Sequence, residues 1–147
     1  MALKEQLAQD LKESMRAKDV IRKNTVQLVR SAILQIEKDN KVVLDDEGVI
    51  GVIAKELKKR KDVLPDYEKS GRADLIEALK TEMEILTAYL PEQLSREEIA
   101  QIVKEAIVQT GASTMKDMGK IMAYVMPKTK GKADGKTINE VAKELLA

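Results

Sequence analysis

The 147-residue sequence contains no cysteine, histidine, tryptophan or phenylalanine. Without cysteine there is no disulfide, thiol nucleophile or cysteine-based metal site, which fits a reducing compartment. Without histidine the commonest general base and metal ligand is missing. None of the five serines lies in a G-x-S-x-G elbow, and without histidine or cysteine the usual nucleophile–base pairs are excluded. A serine–lysine pair stays open as an alternative, but no motif selects one. We expect no catalytic residue, no metal site and no cofactor.

Aromatic residues make up only 2% of the chain, all of them tyrosine, whereas hydrophobic residues make up 44%. A core built from leucine, isoleucine, valine, alanine and methionine favours packed helices over a β-sandwich. No apolar run approaches the ~18 residues of a membrane span, and no segment is typical of a secretory signal. We therefore predict an all-α, cytoplasmic protein with no membrane partner.

Apolar residues recur at helical spacing along almost the whole chain, which predicts seven helices. Pro91 marks the clearest boundary, because the residue before a proline is pushed out of the helical region. Ser95 and Glu98 follow as an S-x-x-E capping box, a pattern typical of a helix start. We predict an N-terminal domain of four longer helices, residues 1–92, and a small three-helix C-terminal domain, residues 93–147.

Turn and cap residues predict where individual helices begin and end. Asp19 and Asp134 are candidate N-caps, and Gly111 is a candidate left-handed C-cap. Pro65 is expected to kink or stop the third helix, and Pro127 to stop the sixth, because proline lacks the amide hydrogen and clashes with the preceding turn.

Two further patterns have structural interpretations. An acidic cluster at the start of the third helix complements the helix dipole better than it resembles a calcium loop. It comprises Asp45, Asp46 and Glu47. A methionine stripe with spacings of three and four is more typical of a core than of an adaptable partner groove. It comprises Met115, Met118, Met122 and Met126.

The first of two basic clusters lies on the predicted third helix. It comprises Lys58, Lys59, Arg60 and Lys61. Four consecutive residues cover ~300° of a helix, so one or two of these side chains must lie near the packed face. The cluster is a solvated helix face or a secondary binding patch, and the first interpretation is favoured.

The second basic cluster lies near the C-terminus and consists of Lys120 and the lysines of "KTKGKADGK", residues 128–136. It comprises Lys120, Lys128, Lys130, Lys132 and Lys136. Residues 116–147 hold seven lysines and four acidic residues, a balance of +3, whereas the remaining residues hold 19 basic and 21 acidic residues, a balance of −2. There is no preceding strand and no G-x-x-x-x-G-K-[ST] motif, which excludes a P-loop. The alternatives are a solvated loop and an anion-binding loop.

Two details favour anion binding by this second cluster. Gly131 and Gly135 permit close approach to the backbone, and the start of the last helix presents amide groups beside the lysines. Asp134 counts against it, because a capping carboxylate occupies part of that helix start. With so few aromatic residues, any contact with RNA should depend on backbone and shape rather than on base readout.

Three segments carry a family resemblance: "MKDMGKIMAYVMPKTKGKADGKTINEVAKELLA", "YEKSGRADLIEALKTEMEILTAYLPEQLSREE" and "IRKNTVQLVRSAILQIE". The chain resembles free-standing YqeY-like members of the GatB/YqeY family over essentially its whole length. The resemblance implies an all-helical protein in two parts. Pro65 departs from the family pattern, in which we expect a non-proline residue.

The resemblance also implies similarity to the tail of the B subunit of glutamyl/aspartyl-tRNA amidotransferase, a tail associated with tRNA recognition. The positions that match its motif are Gly119, Lys120, Lys128, Lys130, Gly131, Lys132 and Ala133. It does not imply catalysis, because the amidotransferase chemistry belongs to parts with no counterpart in this chain. A carbon–nitrogen ligase activity would follow from family association only.

We therefore expect a non-catalytic tRNA-binding or amidotransferase-accessory module. The expected partners are tRNA and an amidotransferase or aminoacyl-tRNA synthetase, with no DNA. The first alternative is a helical protein–protein adaptor, and the second is an enzyme with carbon–nitrogen ligase activity.

Overall fold

The computed structural model describes residues 2–146. Over these residues the chain forms seven α-helices and one turn of 3-10 helix and has no β-strand, which confirms the predicted all-α fold. The helices are α1 (Leu3–Arg16), α2 (Val20–Asn40), α3 (Asp46–Ser70), α4 (Ala73–Thr87), α5 (Arg96–Thr110), α6 (Met118–Thr129) and α7 (Gly135–Leu146), and the 3-10 turn is Met115–Asp117.

The helices group into two compact units, one ending at Leu90 and one beginning at Pro91. In the first unit α1 packs on α2, α3 packs on α4, and α2 packs on both α3 and α4. The buried apolar residues of this unit are contributed by all four helices. The core cluster comprises Leu7, Val26, Val29, Ile33, Val49, Val52, Ile53, Leu57 and Leu86, and Leu79 of α4 is buried as well.

The buried face of α2 is rotated from the one its sequence suggests. Helical periodicity places Ile21, Leu28, Val29 and Ile33 on one apolar stripe of α2. Val29 and Ile33 are buried, as that stripe predicts, but Ile21 and Leu28 are exposed, and Val26 is fully buried instead. Each residue advances 100° around a helix, so a face centred on Val26, Val29 and Ile33 leaves Leu28 on the opposite side. Contact with α1, α3 and α4 selects this face from a helix that is apolar over more than half its circumference.

A buried carboxylate fixes the segment after α4 to α1. Asp10 is only 5% exposed. It accepts hydrogen bonds from Gln6 Nε2 at 2.9 Å and from the Tyr89 hydroxyl, and Arg22 Nη2 lies 3.7 Å from its Oδ1 atom. Burial of the phenol and its bond to Asp10 raise the pKa of Tyr89 above its ordinary value. These contacts offset the cost of burying the charge.

The second unit contains α5, α6 and α7, each of which contacts the other two. Its buried residues are Ile99, Val103, Ala106, Ala112, Ile121, Val125, Ile138, Val141 and Ala142. The methionine stripe contributes less than a core stripe would. Met118 and Met122 pack against this core, but Met115 and Met126 are exposed, because the face that carries Ile121 and Val125 is the one turned inward.

The predicted caps at Asp19, Ser95 and Gly111 are confirmed. Asp19 accepts the N–H of Arg22 at 3.1 Å. Asp45, a member of the acidic cluster, also caps its helix and accepts the N–H of Gly48 at 2.9 Å. Ser95 and Glu98 form the reciprocal capping box, and Gly111 ends α5 with a φ of +70°. Each of these signals acts within four residues of the helix end, so the local sequence specifies it fully.

The prediction that Pro127 stops the sixth helix is wrong, and Pro65 does not stop the third, whereas a kink at Pro65 stays a prediction. Helix α6 continues through Pro127 to Thr129, and α3 continues through Pro65 to Ser70. Both prolines are exposed, so water solvates the carbonyl that each leaves without its amide partner. The actual end of α3 is set by Gly71, whose φ of +68° is the left-handed C-cap conformation.

Candidate nucleic-acid interface

The basic loop, defined here as residues 128–136, joins the end of α6 to the first turn of α7. Thr129 organises it: the side chain is buried, and its hydroxyl is bonded to the preceding helical turn. The Thr129 carbonyl accepts the N–H groups of Lys132 and Ala133 at 2.8 and 3.1 Å. Gly131 has a φ of +74°, a conformation that costs glycine little. The connection is therefore an ordered turn.

A second segment holds this loop from outside. We call residues 91–94 the strap. The side-chain amide of Gln93 donates to the Gly131 carbonyl at 2.7 Å, and the N–H of Leu94 donates to the Lys132 carbonyl at 2.9 Å. Through these two bonds the strap fixes the centre of the basic loop.

The lysines of the basic loop project from this turn into solvent. Within residues 2–146 no carboxylate lies within 4.0 Å of the ammonium groups of Lys128, Lys130, Lys132 and Lys136. The predicted fifth member differs, because Lys120 Nζ lies 3.7 Å from Asp117 Oδ1. The loop thus places four cations, without ion-pair partners in the described part of the chain, next to one another in sequence.

Tyr124 braces one of these cations. Lys128 Nζ donates to the Tyr124 hydroxyl at 3.0 Å and lies 4.4 Å from the centre of its ring. The hydrogen bond, followed by the charge interaction with Tyr124, raises the pKa of Lys128 above its ordinary value. Lys120, Tyr124 and Lys128 are spaced at i, i+4 and i+8, so they lie on one stripe of α6. The braced ammonium is already positioned before any ligand arrives.

Asp134 caps the start of α7, as predicted. Its Oδ1 atom accepts the N–H of Lys136 at 3.1 Å, and its carbonyl accepts the N–H of Ile138 at 3.1 Å. The carboxylate therefore occupies one amide of the helix start and adds a negative charge there. The lysine side chains, rather than the helix amides, remain the principal anion-binding groups.

The three glycines in and near the predicted site differ in whether the backbone requires a glycine at that position. Gly131 requires a positive φ. At Gly119 a Cβ atom would meet nothing within 4 Å, and at Gly135 it would make an ordinary contact with the Met126 side chain at 3.8 Å. Only Gly131 is needed as glycine by the backbone itself.

The first basic cluster, residues 58–61, is divided between the interior and the surface of its unit. Arg60 is turned inward with a side chain only 12% exposed. Its Nη1 atom donates to Glu56 Oε2 at 3.1 Å, and its Nε atom lies 3.7 Å from Glu82 Oε2. Lys59 also pairs with Glu56, at 3.3 Å, whereas Lys58 and Lys61 are exposed. Arg60 thus ties α3 to α4.

Three residues that shape the basic loop are absent from the sequence-based site. Tyr124 had a usable signal, because it stands four residues from both Lys120 and Lys128. Thr129 could be found as a polar residue on the buried face of α6, four residues after Val125. Gln93 had no signal, because its partner Gly131 lies 38 residues away.

Residues 2–146 contain neither a cluster of metal ligands nor a membrane-spanning helix. No group of three or more acidic side chains in this range is arranged to hold a metal ion. None of the helices described combines the length and apolarity that a membrane crossing requires.

The chain is similar to proteins from several fungi. The protein of Pyrenophora tritici-repentis named altered inheritance of mitochondria protein 41, mitochondrial, is 26% identical over 145 residues, which cover 95% of this chain and 78% of the relative. Proteins of the same name from Kluyveromyces lactis and Vanderwaltozyma polyspora are 43% and 36% identical over 103 and 85 residues. These alignments cover 67% and 57% of this chain but only 55% and 46% of the two relatives, about half their length.

The names of these relatives place them in mitochondria, which contradicts the prediction of a cytoplasmic protein. That prediction depended on the missing cysteines and the missing secretory signal, and neither absence separates cytoplasm from mitochondria. The sequence model of Yqey-like proteins matches residues 4–146. The chain therefore belongs to the Yqey-like protein family.

Proposed function

We propose that this chain is a non-catalytic tRNA-binding or amidotransferase-accessory module that contacts the RNA backbone through the basic loop. The supporting observation is the set of four exposed lysines that have no carboxylate partner within residues 2–146, carried on a hydrogen-bonded turn. Lysines that neutralise phosphates release counterions and supply affinity that does not depend on sequence.

Recognition is proposed to use the backbone rather than the bases. Lysine ammonium groups act as point charges, which suit phosphates but do not read base edges bidentately. Stacking on bases needs an open aromatic face, and Tyr124 already has the Lys128 ammonium near its ring. A folded RNA that presents a fixed arrangement of phosphates, such as tRNA, fits this surface better than a single strand read by its bases.

The choice of tRNA is supported by the resemblance to the tail of the amidotransferase B subunit. We propose that the residues matching its motif serve the same purpose here. They are Gly119, Lys120, Lys128, Lys130, Gly131, Lys132 and Ala133. An amidotransferase or an aminoacyl-tRNA synthetase is the proposed protein partner, since either would handle the same tRNA.

We also propose that the four-helix and three-helix regions, residues 1–92 and 93–147, are independent folding domains. Each has its own buried core, which supports the division. Separate expression of the two fragments tests it: each should show helical circular dichroism and cooperative unfolding, and a fragment that stays unfolded would contradict the proposal for that region.

The central experiment is a titration of labelled tRNA at several salt concentrations. With Lys128, Lys130 and Lys132 changed together to Ala, the slope of log affinity against log salt should become shallower by about 2–3, roughly 0.7–0.9 for each lost phosphate contact. The matched control changes Lys58, Lys59 and Lys61 to Ala, which removes the same charge. Equal losses in both variants, or an unchanged affinity in the loop variant, would contradict the assignment to the loop.

The absence of catalysis has its own test. The purified chain, given mischarged tRNA with glutamine and ATP, should produce no amidated product. Product formation above a no-protein control would favour the carbon–nitrogen ligase alternative.

The adaptor alternative is supported by the exposed apolar side chains of Ile21 and Leu28, which stand two turns apart on one face of α2. Apolar surface exposed on one face of a helix can mark a protein interface. This alternative predicts a stable partner that survives RNase treatment in a pull-down, loss of that partner on Ile21→Ser with Leu28→Ser, and no tRNA binding by the pure chain.

A further inference from the structure

The side-chain amide of Gln93 is bonded to two backbone carbonyls at once. Its Nε2 atom donates to the Pro91 carbonyl at 3.0 Å and to the Gly131 carbonyl at 2.7 Å. A glutamine amide nitrogen has two N–H groups, so both are used. Turning the amide over would place its oxygen against both carbonyls, which leaves one favourable orientation.

The peptide groups of the basic loop explain what the strap does. In a trans peptide unit the C=O group and the following N–H group point in opposite directions. The Gly131 carbonyl faces the strap, and the next N–H, of Lys132, turns back to Thr129 at 2.8 Å. The Lys132 carbonyl likewise accepts from Leu94, and the next N–H, of Ala133, bonds to Thr129 at 3.1 Å. The Gln93 amide and the Leu94 N–H thus donate to two carbonyl oxygens of the loop. Left without donors, the partial negative charge of these oxygens would repel a phosphate.

We propose that Gln93 is a positioning residue for the basic loop: it holds the Gly131 turn in the conformation that directs Lys130 and Lys132 toward a phosphate backbone, without contacting RNA itself. The consequence for binding rests on the proposed function. The Leu94 bond uses a backbone amide and survives any change at position 93. Gln93 therefore supplies the one side-chain tie from the strap to the loop among the described residues.

The positioning role predicts a particular separation of effects. Without the Gln93 bond the loop samples more conformations, and RNA binding must then order it at a cost in affinity. The number of lysines stays the same, so the number of neutralised phosphates stays the same. The tRNA affinity should fall roughly threefold to tenfold, which corresponds to the net free energy of one hydrogen bond, while the slope of log affinity against log salt stays unchanged. Loss of the lysines, in contrast, changes the slope.

Gln93→Met tests this, because methionine keeps the length of the side chain and cannot donate. The matched control is Gln101→Met on the exposed side of α5, where the glutamine side chain makes no hydrogen bond within residues 2–146. The measurements are the ¹⁵N heteronuclear NOE of Gly131 and Lys132 and the salt-dependent tRNA titration. We expect lower NOE values at both residues and the affinity loss with unchanged slope in Gln93→Met, and wild-type behaviour in the control.

Unchanged NOE values in Gln93→Met would overturn the positioning role even where no RNA is used. Failure of the wild-type chain to bind tRNA would sink the proposed function instead, and the NOE comparison would still decide the role of Gln93. A shallower salt slope in Gln93→Met would mean that the residue affects phosphate contacts directly, against the proposal. If circular dichroism shows Gln93→Met unfolded, Gln93→Asn, too short to reach both carbonyls, takes its place in the same measurements.

Discussion

The two basic clusters of this protein, residues 58–61 on α3 and residues 128–136 between α6 and α7, each contain four basic residues but stand in different surroundings. On α3 Arg60 pairs with Glu56, one turn before it, and with Glu82 on the adjacent helix, and Lys59 also pairs with Glu56. In the basic loop the single acidic residue, Asp134, is engaged by the backbone of α7. With the same number of basic residues, the first cluster therefore links α3 to α4, whereas the lysines of the basic loop have no carboxylate partner within residues 2–146.

The contrast teaches that availability matters more than charge count. A cation that already has a partner in a partly buried site must lose that partner before it binds a phosphate, and this loss offsets the gain. Lys128 contacts a tyrosine ring and hydroxyl, and the Glu105 carboxylate acts on it only from beyond ion-pair distance, so its charge stays available for a ligand. The predictions that follow test whether the two clusters differ in this way.

The largest expected effect is on stability and lies in the first cluster. Arg60→Met should lower the free energy of unfolding by about 2–3 kcal/mol, because Glu56, only 8% exposed, loses the partner that offsets its burial while Lys59 remains. Urea unfolding followed by circular dichroism measures this. tRNA affinity of the folded variant should not change.

The controls for Arg60 use its own surroundings. Lys58→Met alters an exposed neighbour and should change stability by no more than about 0.5 kcal/mol. Adding Glu56→Leu to Arg60→Met removes both charges and should restore much of the lost stability. If the double variant is less stable than Arg60→Met, the ion pair is not the cause.

The next effect separates two glycines of the second unit. Gly131→Ala forces a Cβ onto a residue with a φ of +74° and should cost about 1–2 kcal/mol. Gly119→Ala places a Cβ in open space at the start of α6 and should stabilise by up to about 1 kcal/mol. Thermal unfolding of both variants gives the comparison, and a similar change in the two would contradict the backbone explanation.

The same glycine pair tests the proposed interface in a second way. Gly131→Ala should weaken tRNA binding because it distorts the turn that carries Lys130 and Lys132. Gly119→Ala leaves the fold intact, so any loss of binding in that variant would indicate close approach of RNA to the start of α6. Unchanged binding would restrict the interface to the loop.

Features specified by neighbouring residues could be predicted from the sequence. Asp19, and Ser95 with Glu98, cap helices through bonds to residues three positions away, so composition and local pattern were enough for the all-α fold and for several helix starts. Pro127 misled, because a proline near an exposed helix end loses only one bond.

Features that depend on distant residues could not be predicted. The lysines of the basic loop were found because they are charged and close in sequence. Their support by Gln93 crosses 38 residues, and the contact of Arg60 with Glu82 crosses two helices. No periodicity encodes such contacts, because they arise only when the helices pack. The sequence predicted that one or two of the four basic residues at 58–61 face the core, but it did not identify Arg60 as the one that does.

A smaller effect is expected at Asp117, which forms an ion pair with Lys120. Lys120 therefore has an acidic partner, as Lys59 and Arg60 of the first cluster do. Hydrogen bonds from the backbone N–H groups of Ser113 and Thr114, and then the Lys120 charge, lower the pKa of Asp117. A lowered carboxyl pKa contributes stability above the ordinary aspartate value of about 4, and this stability is lost as pH falls through the lowered value.

Asp117→Asn should therefore be less stable than wild type at neutral pH, and the difference should shrink as pH falls below about 4. The same change frees Lys120, so tRNA affinity should rise slightly. Chemical unfolding from pH 7 to pH 2 measures the first effect, and a difference that stays constant over this range would contradict it. Gln109→Glu, which adds a negative charge at an exposed position of the same unit, should instead lower affinity slightly.

The smallest effect is expected at Tyr124, and it decides how much the bracing of Lys128 matters. Tyr124→Phe keeps the ring near the ammonium group but removes the hydroxyl that accepts its hydrogen bond at 3.0 Å. Because Lys128 is exposed and water can replace the hydroxyl, tRNA affinity should fall by less than about threefold, with an unchanged salt slope. Tyr124→Leu removes the ring as well and should weaken binding further, but by less than loss of the lysine itself. The contrary result would be a Tyr124→Phe variant with the same tRNA affinity and the same salt slope as Lys128→Ala. That result would mean that the Tyr124 hydroxyl contacts RNA directly. Tyr124 would then belong to the interface itself, rather than only holding the Lys128 ammonium group in place.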